Sequence, residues 1–135
     1  MRFISTKFHG VLDYLVGILL IAAPWIFNFD NGTAAQSVPV IVGALIILMS
    51  IFTNYEAGLI KRIPMSTHLT MDVVFGIFLA ASPWLFGFSN QIYGPHLVVC
   101  ILAIGVGLFT ETTPHTQTHG DRRDARRDQD IRHAH

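Results

Sequence analysis

Three stretches of this sequence contain no Asp, Glu, Lys or Arg: residues 14–29, 31–55 and 73–110. A bilayer core about 30 Å thick needs roughly 20 apolar residues to cross as a helix. The third stretch is long enough for two crossings, with a break at Ser89-Asn90-Gln91 and Gly94-Pro95. The pattern predicts an all-α, four-span transmembrane helix bundle with helices at about 9–28, 37–55, 68–88 and 95–111. The fourth has the shortest apolar heart, Leu97 to Phe109. A soluble four-helix bundle would show charged faces at helical period. Val38–Phe52 and Leu97–Phe109 show none.

Only 13% of the 135 residues are charged, against about 25% in a soluble domain. Half of those charges sit in residues 112–135, as five Arg and four Asp. This tail is also His-rich and nearly devoid of apolar residues, so it is expected to be disordered. Its His115, His119, His133 and His135 offer adventitious metal ligands, and its Arg side chains a weak attraction to anionic lipid. The net charge is zero, which gives no field for nucleic acid. Cys100 is the one cysteine. It excludes an internal disulfide and a CxxC motif, and it reads as an inert packing residue.

Basic residues also set sidedness. Arg2 and Lys7 precede the first helix, Lys61 and Arg62 lie between the second and third, and five Arg follow the fourth. The loops around 30–37 and 89–95 have no Lys or Arg. Both termini and the middle loop are therefore expected to be cytoplasmic, in the inner (cell) membrane. The first helix is not read as a signal peptide: Pro24 follows Ala22-Ala23, a poor cleavage context, and the same segment recurs later.

That recurrence is an internal duplication. At a shift of 59 residues His9 falls on His68, Asp13 on Asp72, Gly17 on Gly76, Ala22 on Ala81, Pro24 on Pro83 and Trp25 on Trp84. Phe27, Phe29 and Asn31 fall on Phe86, Phe88 and Asn90. The following helices align at a shift of 57, where Leu45, Phe52 and Thr53 meet Leu102, Phe109 and Thr110. The chain divides into unit one (1–61), unit two (62–111) and the tail (112–135). Each unit has two spans, so both insert in one orientation, related by a pseudo-twofold along the membrane normal.

The pattern H-x3-D-x3-G, followed by A-[AS]-P-W-x-F-x-F-x-N, resembles the SPW-repeat family of small bacterial and archaeal membrane proteins. Unit two has Ser82-Pro83-Trp84, whereas unit one departs with Ala23-Pro24-Trp25. The resemblance implies a four-span membrane protein and no established biochemical activity.

Each repeated residue has a structural reading. Pro24 and Pro83 should kink or end their helices. Trp25 and Trp84 then anchor at headgroup depth. Gly17 and Gly76 share a face with the His and Asp and are expected to let the first and third helices approach across the axis. Gly43, Gly105 and Gly107 read as packing positions. Ser5, Thr6, Ser66 and Thr67 read as N-caps.

His9-x3-Asp13 and His68-x3-Asp72 carry the chemistry. Spacing four stacks each carboxylate one turn beyond its imidazole. An ionisable residue inside a span is costly, so a cost incurred twice suggests inward-facing pairs. Glu56 and Glu111 end the second and fourth helices on the same side. Three readings compete for these six residues. Mutual satisfaction of His by Asp would pin the helices. A divalent metal suits two His with carboxylates, although the Glu-x-x-His diiron signature is missing. A proton or ion relay would use Ser50, Thr53, Asn54 and Tyr14 as its nearby polar steps. No nucleophile constellation, nucleotide loop or HExxH motif is present, so no catalytic residue and no cofactor are predicted. The leading functional reading is a non-enzymatic structural or partner-binding module of the lipid bilayer, able to form a homo-oligomer or to bind a membrane-protein partner. A small transporter or ion-conducting protein comes second, and a metal-binding membrane protein third.

Overall fold

Four helices take up the charge-poor stretches: α1 Thr6–Ile26, α2 Ala34–Phe52, α3 Met65–Leu85 and α4 Gly94–Phe109. The computed structural model describes residues 1–113, 126–127, 129–132 and 134, so most of the expected tail lies outside the described residues. α1, α2 and α3 are long and apolar enough to cross a membrane. α4 is shorter, at 16 residues.

All four helices start and end earlier than hydrophobicity alone suggests, and their ends show why. Ser5 caps α1 by accepting from Phe8 N, and Thr33 caps α2 by accepting from Ala35 N. Thr6 lies inside α1 rather than capping it, and α3 begins after Pro64 with Ser66 and Thr67 already helical. At the far ends, Pro24 and Pro83 sit in the last turn. The break comes just beyond, where Asn28 (φ 56°) and Gly87 (φ 72°) turn left-handed at equivalent positions. Phe29 N then donates to Pro24 O and Phe88 N to Pro83 O, both at 2.8 Å. This closure satisfies carbonyls that a helix end otherwise orphans.

α1 packs on α2 and α3 on α4, so each unit is a helical hairpin. Gly17 and Gly43 make the first contact: a Cβ on Gly17 would lie 2.5 Å from Ile47 Cγ1, and one on Gly43 would lie 2.6 Å from Gly17 O. Gly76 and Gly107 lie against Ala103 and Val73 in the second hairpin. Gly17 and Gly76 thus serve contacts within their units, not the expected approach of the first and third helices across the axis. A Cβ on Gly105 would meet open space among the described residues, so this glycine is not required by a close contact.

The hairpins close on one another in a ring. Arg62 N and Ile63 N donate to Phe52 O, tying the lead-in of α3 to the end of α2. At equivalent positions Phe3 N and Ile4 N donate to Phe109 O, tying the lead-in of α1 to the end of α4. The interior between the hairpins is Leu20, Val38, Val42, Ile46, Leu79 and Val99. Beyond it, Ala23, Phe29, Ala35 and Phe88 fill the far end. The outer surface is apolar as well, with Leu15, Ile18, Ile41, Leu48, Ile77, Leu85, Ile101 and Leu108 exposed. Polar side chains are instead gathered inside, the inverse of a water-soluble protein.

Candidate functional site

α1 and α3 each bring their His and Asp, one turn apart, to the interior near the start of the helix. His9, Asp13, His68 and Asp72 are all buried, and one ligand atom from each lies within 4.8 Å of the others. The closest partners are not the ones in sequence. His9 Nε2 lies 2.9 Å from Asp72 Oδ2, and His68 Nε2 lies 2.8 Å from Asp13 Oδ2. The pairs within each unit, His9–Asp13 and His68–Asp72, stand at 3.3 Å. Each imidazole is therefore closest to the aspartate of the other unit.

The other ring nitrogens extend the symmetry. His9 Nδ1 is 2.9 Å from Thr110 Oγ1, and His68 Nδ1 is 2.7 Å from Thr53 Oγ1. Both threonine hydroxyls already donate to a carbonyl one turn back, Thr110 to Val106 O at 2.6 Å and Thr53 to Met49 O at 2.7 Å. A hydroxyl has one proton to give. Each Nδ1 must therefore carry a proton and donate it to the threonine.

It follows that each Nε2–carboxylate contact holds one further proton, on the nitrogen or on the oxygen. Either placement leaves each His–Asp pair with zero net charge. The four-residue node is thus neutral as a whole, which burial in a low-dielectric interior favours. Asp13 gains one more donor, Ser50 Oγ at 3.3 Å. Asp72 has no such neighbour because the residue equivalent to Ser50 is Gly107.

Glu56 and Glu111 stay outside the node. Glu56 Oε2 accepts from the buried Thr6 hydroxyl at 2.6 Å, and Glu111 N donates to Ile4 O. Tyr14 donates to Ala57 O rather than to the node. Ser82, fully buried, donates back to Leu79 O in its own helix at 2.7 Å. Ala23 at the equivalent place therefore lacks no long-range partner. Trp25 and Trp84 project outward, 54% and 57% exposed, as anchors in lipid would.

Two buried groups escape sequence reasoning. Tyr55 covers the node against His68, ring centroids 5.6 Å apart, and its hydroxyl makes no hydrogen bond among the described residues. Burial pushes that hydroxyl well above the ordinary tyrosine range. His96 is buried between Phe29 and Phe88 at the far end, with neither ring nitrogen bonded among the described residues. Thr53 and Thr110, by contrast, carry a visible signal, since they coincide in the duplication.

An apolar cavity of about 90 Å³ adjoins the node. His9, Asp13 and Asp72 line one end, and the rest is aliphatic or aromatic, including Leu12, Val16 and Phe75.

Helices apolar on their outer faces, closing on a buried polar node, define a small integral membrane protein. The chain belongs to the SPW repeat domain family, whose pattern matches residues 7–110. No curated protein and no solved structure matches it.

Proposed function

We propose that the chain is a non-enzymatic module of the inner membrane whose two repeats are locked together by the His/Asp node, leaving its apolar outer faces for lipid, a second copy or a membrane-protein partner. The observation that carries this reading is reciprocity: each imidazole bonds an aspartate of the other unit and a threonine at a helix end. The candidate set His9, Asp13, His68 and Asp72 holds the two hairpins in register, and the Glu56 carboxylate and the Glu111 backbone N–H tie down the neighbouring segments. Lys and Arg flank the helices on the node side only, which supports cytoplasmic termini and a cytoplasmic middle loop.

A conduction pathway has less support. Beyond the node the adjoining cavity is lined by apolar side chains, which offer a proton or ion no onward step. The test is thermal melting of the full chain in detergent. Asp13→Asn with Asp72→Asn should lower the melting temperature, and an unchanged melting curve would reject the lock. Proton flux in proteoliposomes that is lost in the same variant would instead favour conduction.

A further inference from the structure

We infer that the node is a binding site for one divalent transition-metal ion of the zinc type, held by Nε2 of His9 and His68 and by one carboxylate oxygen each of Asp13 and Asp72. The inference rests on the node being the joint between repeats and adds a ligand to that joint.

Geometry is the first support. Tetrahedral zinc with bonds of roughly 2.0–2.2 Å holds its donors about 3.3–3.5 Å apart. Asp72 Oδ2 stands 2.9 Å from His9 Nε2 and 3.3 Å from His68 Nε2, and Asp13 meets the same two nitrogens through different oxygens, Oδ1 at 3.3 Å from His9 and Oδ2 at 2.8 Å from His68. One donor atom from each of the four residues already lies within 4.8 Å of the others, so closing the set around an ion takes side-chain shifts on the order of an ångström. Two imidazoles and two carboxylates are a donor set that such an ion accepts.

Orientation is the second. Metal-bound histidines give their other ring N–H to an oxygen acceptor that fixes the tautomer and aims the ring. Thr53 and Thr110 do this here, since their own protons are committed to Met49 O and Val106 O. The nitrogens turned toward the carboxylates are therefore the Nε2 atoms.

Charge is the third. The node holds two protons between its imidazoles and carboxylates. Releasing both leaves two neutral imidazoles and two carboxylates, a net charge of minus two. One divalent cation restores neutrality. The exchange of two protons for one ion keeps the net charge of the node at zero.

The test uses the full chain in detergent, with His115→Ala, His119→Ala, His133→Ala and His135→Ala in place so that the tail does not bind zinc. After chelator treatment, zinc chloride is titrated calorimetrically in two buffers of different ionisation enthalpy. One zinc per chain should bind, with two protons released per ion. Thr53→Val and Thr110→Val should each weaken binding roughly 10–100-fold while keeping the stoichiometry. Asp13→Asn with Asp72→Asn should abolish it.

A folded parent that binds no zinc, or binds it without releasing protons, overturns the inference. So does a double-asparagine variant that binds zinc as the parent does. The lock is read separately, by melting in chelator. Zinc absent with the lock intact removes the ion alone, and zinc bound with chelator melting unchanged by the double substitution removes the lock alone.

Discussion

His9 Nε2 lies closer to Asp72, 63 residues away in the chain, than to Asp13 one turn along its own helix: 2.9 Å against 3.3 Å. His68 mirrors it, at 2.8 Å from Asp13 and 3.3 Å from Asp72. The duplication thus places a half-site in each unit, and neither half is complete without the other. This explains why one costly pair of ionisable residues recurs at matched positions.

The threonines should matter as much as the carboxylates. Thr53→Val leaves His68 Nδ1–H buried with no acceptor, and Thr110→Val does the same to His9. An unsatisfied buried donor costs about 1–3 kcal/mol. Each substitution should lower stability in detergent by that order, and Thr53→Ser should restore most of it. A valine variant that melts with the parent would show that the hydroxyls do not hold the rings.

The glycines should separate into two groups. Gly17→Val and Gly43→Val drive a side chain into the α1–α2 contact, where overpacking costs about 1–3 kcal/mol or more. Gly105→Ala meets open space. It should be neutral, or stabilise by up to about 1 kcal/mol through helix propensity. Melting temperatures of the three variants test this, and equal destabilisation by all three would contradict the packing described.

The serine of the Ser-Pro-Trp block should be dispensable. Among the described residues its hydroxyl bonds only Leu79 O of its own helix. Ser82→Ala should change stability by about 1 kcal/mol at most, matching the alanine that unit one carries there. Loss of folded protein on this change would mean that the hydroxyl has a partner beyond its helix.

The helices are legible in the sequence because charge-free stretches of that length have few other homes. Ser5 is legible as the cap of α1, but the other boundaries are not, because the cap at Thr33 and the left-handed turns at Asn28 and Gly87 decide them locally. The four node residues are visible through the duplication, but their partners are not. Spacing four on one helix points to His9–Asp13, whereas the packing of two hairpins brings Asp72 closer, and helical period does not encode that packing. Tyr55 and His96 leave no trace in the repeat, since Thr112 and Pro39 stand at their equivalent positions.

Tyr55 gives a pH prediction. Burial raises its hydroxyl above the ordinary range, so it stays protonated in the folded chain after the unfolded chain has begun to ionise near pH 10. A raised folded value means stability fully present below about pH 10 and lost as pH climbs further. Tyr55→Phe removes that loss, and the hydroxyl it deletes makes no hydrogen bond among the described residues. Melting followed from about pH 8 to about pH 11 should fall less steeply in the variant. Identical slopes would contradict the buried environment assigned to this ring.

The central claim is that imidazole and carboxylate pair across the repeats. Double-mutant cycles measure it directly, using His9→Gln with Asp72→Asn and, separately, His9→Gln with Asp13→Asn, each read by unfolding in detergent. Contacting residues couple by about 0.5–3 kcal/mol. The account predicts a coupling in that range for His9 with Asp72 that clearly exceeds the coupling of His9 with Asp13. A larger coupling for His9 with Asp13, or none for His9 with Asp72, would contradict it.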